Sequence, residues 1–148
     1  MNDHERKLLE HIEQYGFSTT SVFDPEGIDP TFSYTIGITR TTGAPELMVV
    51  GLSPQLGHAL VSDYYDRVVQ GEKFVPNTPY AGFLEGFPIQ FAYVALDHRK
   101  RRMLSAMWLY EGANFEALQL IWPSVSGIWP WEAEASEQFR HQQPVLTM

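Results

Sequence analysis

Between Phe32 and Gly71 the hydrophobic pattern changes its period twice, and each change marks a different kind of element. Phe32, Tyr34, Ile36 and Ile38 alternate with Ser33, Thr35, Gly37 and Thr39, the two-residue repeat of a strand with one buried face. Leu47 to Val50 is apolar without alternation, as expected of a central strand covered on both sides. Ser53 and Pro54 then supply an N-cap and a favoured first helical residue. Leu60, Val61, Tyr64, Tyr65, Val68 and Val69 follow on one helical arc, and Gly71 ends it. The stretch therefore reads as strand, a turn at Thr41 to Ala44, strand, and a helix over 54–70. Gly37 inside the first strand implies a bulge or a close approach to the backbone. Gly57 inside the apolar arc lets the helix approach the sheet.

The flanking chain supplies the remaining layers. Leu8, Leu9, Ile12 and Tyr15 fall at helical spacing over 3–15, with Asn2 or Asp3 as cap and Gly16 at the C-terminal end. Phe17 to Phe23 reads as a strand. Asp24 to Pro30 is a loop holding Asp24, Glu26 and Asp29, without the regular spacing of a calcium loop. Residues 72–86 are punctuated by Pro76, Pro79, Gly82 and Gly86 and are expected to wrap the body irregularly. Pro88 to Leu96 reads as a strand with Ile89, Phe91, Tyr93 and Ala95 on one face.

The basic run Asp97-His-Arg-Lys-Arg-Arg102 suits either a hairpin turn or the first turns of a helix. Asp97 as cap and the spacing of Met103, Ala106, Met107 and Tyr110 select a helix over 98–111. Four cations in its first turns oppose the macrodipole. The run can touch phosphate, although a solvated turn is the commoner fate of such a segment on an acidic chain. Phe115 to Trp122 is the last strand. The expected architecture is one α+β domain over 1–148, with a mixed or mostly antiparallel sheet of about five strands and helices at 3–15, 54–70 and 98–111.

Composition narrows the function classes. A formal charge of −8 disfavours nucleic-acid binding, which relies on cations that displace counterions. The chain has no cysteine, so disulfides, thiolate metal sites and cysteine nucleophiles are excluded. No apolar run approaches the roughly 20 residues of a membrane helix, and a cytoplasmic protein without membrane contact is expected. There is no Gly-x-Ser-x-Gly elbow, no phosphate-binding glycine loop and no His-Glu-x-x-His, so no metal or cofactor is expected and the balance leans away from an enzyme.

Polar residues in apolar surroundings remain as candidates. Glu46 precedes the central strand and His58 borders the buried helix face, an acid–base pair if they converge. Tyr34, Gln119 and Trp122 would line such a pocket between the central strand, the second helix and the last strand. The alternative is structural: Glu46 caps a turn, Gln119 satisfies backbone groups and His58 is a boundary histidine. Trp129 and Trp131 either close the core or anchor a partner. The leading expectation is a non-enzymatic interaction protein with a protein partner on its acidic or tryptophan-rich surface. A small-molecule binder or hydrolase-like enzyme is the alternative, and a homodimer is a further expectation.

Three blocks carry a family resemblance: Tyr34-Thr-Ile-Gly-Ile38 with Pro45-Glu-Leu47 and Gly51-Leu52, then Glu85-Gly-Phe-Pro88, then Leu118-Gln-Leu-Ile-Trp-Pro123 with Gly127 and Pro130-Trp-Glu132. Together they resemble the bacterial domain of unknown function 4262 family over roughly residues 3–146. Ser124 stands where that family usually has an acidic residue. The resemblance implies one α+β domain in a bacterial or phage setting and implies no reaction. A weaker, fold-level analogy to suppressor-of-fused-like interaction domains suggests a toxin-immunity or defence context.

Overall fold

The computed structural model describes residues 1–148. Its strands are β1 (Ser18–Val22), β2 (Phe32–Ile36), β3 (Glu46–Val50), β4 (Tyr80–Leu84), β5 (Phe87–Tyr93) and β6 (Ala117–Ile121). They form one sheet in the order β1-β2-β3-β6-β5-β4. The β3–β6 pair at the centre is parallel, and every other pairing is antiparallel. The helices are α1 (Asp3–Tyr15), α2 (Ile38–Thr42), α3 (Pro54–Val69), α4 (Leu96–Arg102), α5 (Leu104–Tyr110) and α6 (Glu137–Gln142). The α+β reading holds. The sheet has six strands rather than five, because the aromatic segment before Gly86 pairs as the edge strand β4.

The continuous apolar run of β3 splits its residues between two cores. Leu47 and Val49 pack with Leu118, Leu120, Ile89 and Phe91 beneath Leu60, Val61 and Tyr64 of α3. Burying Leu60 and Val61 there contributes about 1.5–3 kcal/mol each. Met48 and Val50 face the other way, toward Ile12, Met103, Ala106 and Leu146. Gly57 brings α3 down onto β2: a Cβ there would lie 3.0 Å from Ser33 Oγ.

Gly37 ends β2 rather than bulging it. Its φ of +109° is open to glycine, and a Cβ would stand 2.9 Å from Ile12 Cγ2. The chain turns there into α2, so Ile38 leaves the face of Tyr34 and Ile36 and joins the core under α3.

The segment expected as one helix over 98–111 is two. It starts earlier, at Leu96, and breaks at Met103 (φ −103°, ψ 55°), a fully buried residue that anchors the bend. Arg99 to Arg102 therefore occupy the last turn of α4. There the macrodipole favours cations, which removes the electrostatic objection to a helix. Helix α6 has no counterpart in the sequence reading. Ser136 caps it, accepting from the Phe139 amide at 3.1 Å, and Phe139 meets Trp122 edge-on at 5.2 Å.

Candidate functional site

Two short helix ends bring basic side chains to one concavity. Arg101 and Arg102 come from the end of α4 and Arg140 and His141 from α6. They overhang a groove of about 750 Å³ floored by Phe32, Tyr34 and Val50, with Leu104 and Leu146 on its walls. Asp29 and Pro30 stand at its mouth. Asp24 builds that mouth: its carboxylate accepts from the amides of Asp29, Glu26 and Ile28 at 2.9–3.0 Å, which hold its pKa below the usual carboxylate value.

The arginines here form no ion pair with a carboxylate. The ion pairs in the chain are Arg6–Asp3 and Arg67–Glu72, both elsewhere. Arg140 is positioned by carbonyls instead, donating from Nε to Pro130 at 3.1 Å and from Nη2 to Glu132 at 2.7 Å. Arg102 donates to His98 Nδ1 at 2.8 Å. A guanidinium can only donate, so His98 carries its proton on Nε2, which donates to a main-chain oxygen of Met148 at 2.7 Å. Burial, followed by the neighbouring Arg101, lowers the Arg102 pKa, and Asp29 opposes that shift. Backbone carbonyls and a neutral imidazole orient these cations without cancelling their charge.

The chain belongs to the family described as Domain of unknown function (DUF4262), whose model matches residues 11–136. No curated protein and no solved structure matches it.

This DUF4262 chain scatters the residues singled out from sequence. Glu46 is fully buried at the start of β3. Its carboxylate accepts from Thr35 Oγ1 at 2.7 Å, from the Gly37, Ile38 and Thr39 amides at 3.1 Å, and from the Tyr110 hydroxyl. Burial raises its pKa, and the bonds from Tyr110, Thr35 and the α2 amides pull against that rise. His58 is exposed on α3, in a separate shallow cleft with His11, Ser62 and Asp66. The two therefore form no acid–base pair.

Gln119 and Trp122 serve the chain's last residues. The Gln119 side chain donates to the Pro144 carbonyl and accepts from the Leu146 amide, both at 2.9 Å. Trp122 donates from Nε1 to the Val50 carbonyl at 2.9 Å, and its own amide and carbonyl bond the Gln143 side chain. Tyr34 alone of the predicted set reaches the arginine groove, and its hydroxyl accepts from the Ser105 amide at 3.0 Å. Trp129 and Trp131 stack in parallel, ring centroids 5.4 Å apart and 2° between ring planes, with Trp131 51% exposed.

No three His, Asp or Glu side chains stand close enough together to hold a metal ion in this DUF4262 fold. Arg101 and Arg102 lie within the basic run Asp97–Arg102, for which the sequence favours a solvated turn over contact with phosphate. The signal was a short cationic cluster on an acidic chain. Arg140 is a single cation beyond it, and only the folded chain brings α6 beside α4.

Proposed function

We propose that this protein is a small-molecule-binding domain that takes an anionic ligand into the groove between α4, α6 and the β2 face. The observation that carries the reading is the convergence of Arg101, Arg102 and Arg140 on one concavity without a carboxylate partner. Arginine forks match carboxylate and phosphate oxygens two at a time, and such charge-assisted bonds are about twice as strong as neutral ones. On a chain of net charge −8 the groove is a local exception to the repulsion any anion meets. Calorimetric titration with inorganic phosphate tests the reading. Saturable binding is expected, with a loss of about tenfold or more in Arg102→Gln and no change in Arg6→Gln. Absence of saturable binding at millimolar phosphate overturns it.

A second reading rests on the exposed face of the Trp129–Trp131 stack, as a contact between two copies of this chain. Sedimentation is expected to show a dimer that Trp131→Ser dissolves. A monomer at every concentration overturns that reading.

A further inference from the structure

Opposite the arginines the groove changes character. Phe32 and Tyr34 project from the same face of β2, with ring centroids 6.2 Å apart and 25° between planes. Tyr34 is only 2% exposed, so half-buried Phe32 is the ring that offers the groove an apolar aromatic face. At the mouth, Asp29 lies near enough to Arg102 to oppose the lowering of its pKa, yet the two form no ion pair. The Asp24 turn holds the Asp29 backbone in place. Three arginines against one aspartate leave two uncompensated positive charges in the groove.

Each of these parts describes a portion of one ligand. Two net positive charges on planar, forked donors suit a dianionic phosphate monoester better than a single carboxylate. A flat aromatic floor suits a planar ring, because stacking works for any π-face. A free carboxylate at the mouth suits a hydrogen-bond donor on that ring or on the linking sugar. A volume of about 750 Å³ admits all three portions together, whereas free phosphate would leave the floor uncovered.

Resting on the anion-binding reading above, we infer that the ligand is a phosphate monoester carried on a planar ring, of the nucleoside 5′-monophosphate class. The phosphate sits on Arg101, Arg102 and Arg140, the ring lies against Phe32, and Asp29 accepts from the ring or sugar.

Calorimetry on the full chain separates the portions, using adenosine 5′-monophosphate, ribose 5-phosphate, adenosine and inorganic phosphate as probes. The monophosphate is expected to bind about tenfold or more tighter than ribose 5-phosphate, the gain of one stacked ring. Adenosine alone is expected to bind more weakly than the monophosphate by a similar factor or more. Phe32→Leu should weaken the monophosphate far more than ribose 5-phosphate, and so remove the preference for the ring. Asp29→Asn should strengthen inorganic phosphate by removing a like charge, and narrow the preference for the nucleotide. Equal affinity for the monophosphate and ribose 5-phosphate in the unmodified protein, with inorganic phosphate still competing, overturns the inference and leaves the anion site standing. A ring preference that survives Phe32→Leu overturns the placement of the ring. Failure of every phosphate to bind overturns both readings.

Discussion

The Tyr110 hydroxyl donates to the Glu46 carboxylate, joining the end of α5 to the start of β3 across 64 residues of chain. The same carboxylate receives the three amides that open α2, so one side chain ties together a strand, a helix start and a distant helix end. Tyr110→Phe keeps the ring against Phe115, 5.2 Å away, and removes only the hydroxyl. The expected cost is about 1–3 kcal/mol, that of leaving a buried acceptor short of one donor. Glu46→Leu should cost more, since the Gly37, Ile38 and Thr39 amides and the Thr35 hydroxyl all lose their acceptor. Urea unfolding of the two variants measures both costs. A Glu46→Leu cost no greater than that of Tyr110→Phe would show that the amide contacts contribute little.

Alkaline titration reads the same region. Burial, and then the Glu46 charge, raise the ionisation of Tyr64 and Tyr110 above the usual tyrosine range. A tyrosine whose folded pKa is raised contributes stability that is complete below its unfolded value, near 10. That contribution is lost as pH climbs toward the folded value. The chain has seven tyrosines, and absorbance at alkaline pH should show Tyr64 and Tyr110 ionising only as the fold is lost. The stability of the protein should fall through the same window. Ionisation of all seven before unfolding would contradict the burial of these two hydroxyls.

Gly37 and Gly27 separate backbone strain from crowding. Both have positive φ, +109° and +70°. A Cβ at Gly27 meets nothing within 4 Å, whereas one at Gly37 runs into Ile12 Cγ2 at 2.9 Å, with Cγ1 at 3.1 Å. Gly27→Ala should cost about 1–2 kcal/mol, the ordinary left-handed penalty. Gly37→Ala should exceed it by about 1–3 kcal/mol, because overpacking adds to the strain. Thermal melting of the two variants compares them directly.

These residues also show how much of the fold the sequence disclosed. The period changes around β2, β3 and α3, with Ser53 as cap and Gly57 at the contact, express local rules and were readable in order. Gly37 announced that something special happened in the strand, but a bulge and a chain reversal leave the same trace in a linear pattern. Edge strand β4 has an exposed middle, Ala81 and Gly82, so it lacks the alternation that identifies a half-buried strand. The break at Met103 depends on where the sheet places that side chain, which local spacing does not encode. The groove was harder still, because Arg102 and Arg140 are 38 positions apart and meet only after α6 folds back over the sheet. Glu46 was visible as an anomaly, a charge beside a fully apolar strand, and its structural alternative describes the bonds it makes.

The last residues of the chain wall the groove, and their attachment is itself testable. Pro144 and Leu146 line it, and the Gln119 side chain holds both through the Pro144 carbonyl and the Leu146 amide. The Leu146 carbonyl in turn accepts from the Ala95 amide at 2.7 Å, beside the first turn of α4 that leads to Arg101 and Arg102. Gln119→Leu keeps a similar volume in the sheet but leaves two backbone groups unpaired, at an expected cost of about 1–3 kcal/mol for each. If this segment were merely draped over the sheet, the variant would lose little stability and its other properties would not change. If it braces the groove, the Leu146 amide should exchange with solvent markedly faster. Phosphate affinity should then fall several-fold although no arginine has been altered. Hydrogen exchange and calorimetry on the same variant distinguish the two outcomes, and unchanged phosphate affinity together with fast exchange would confine Gln119 to stability.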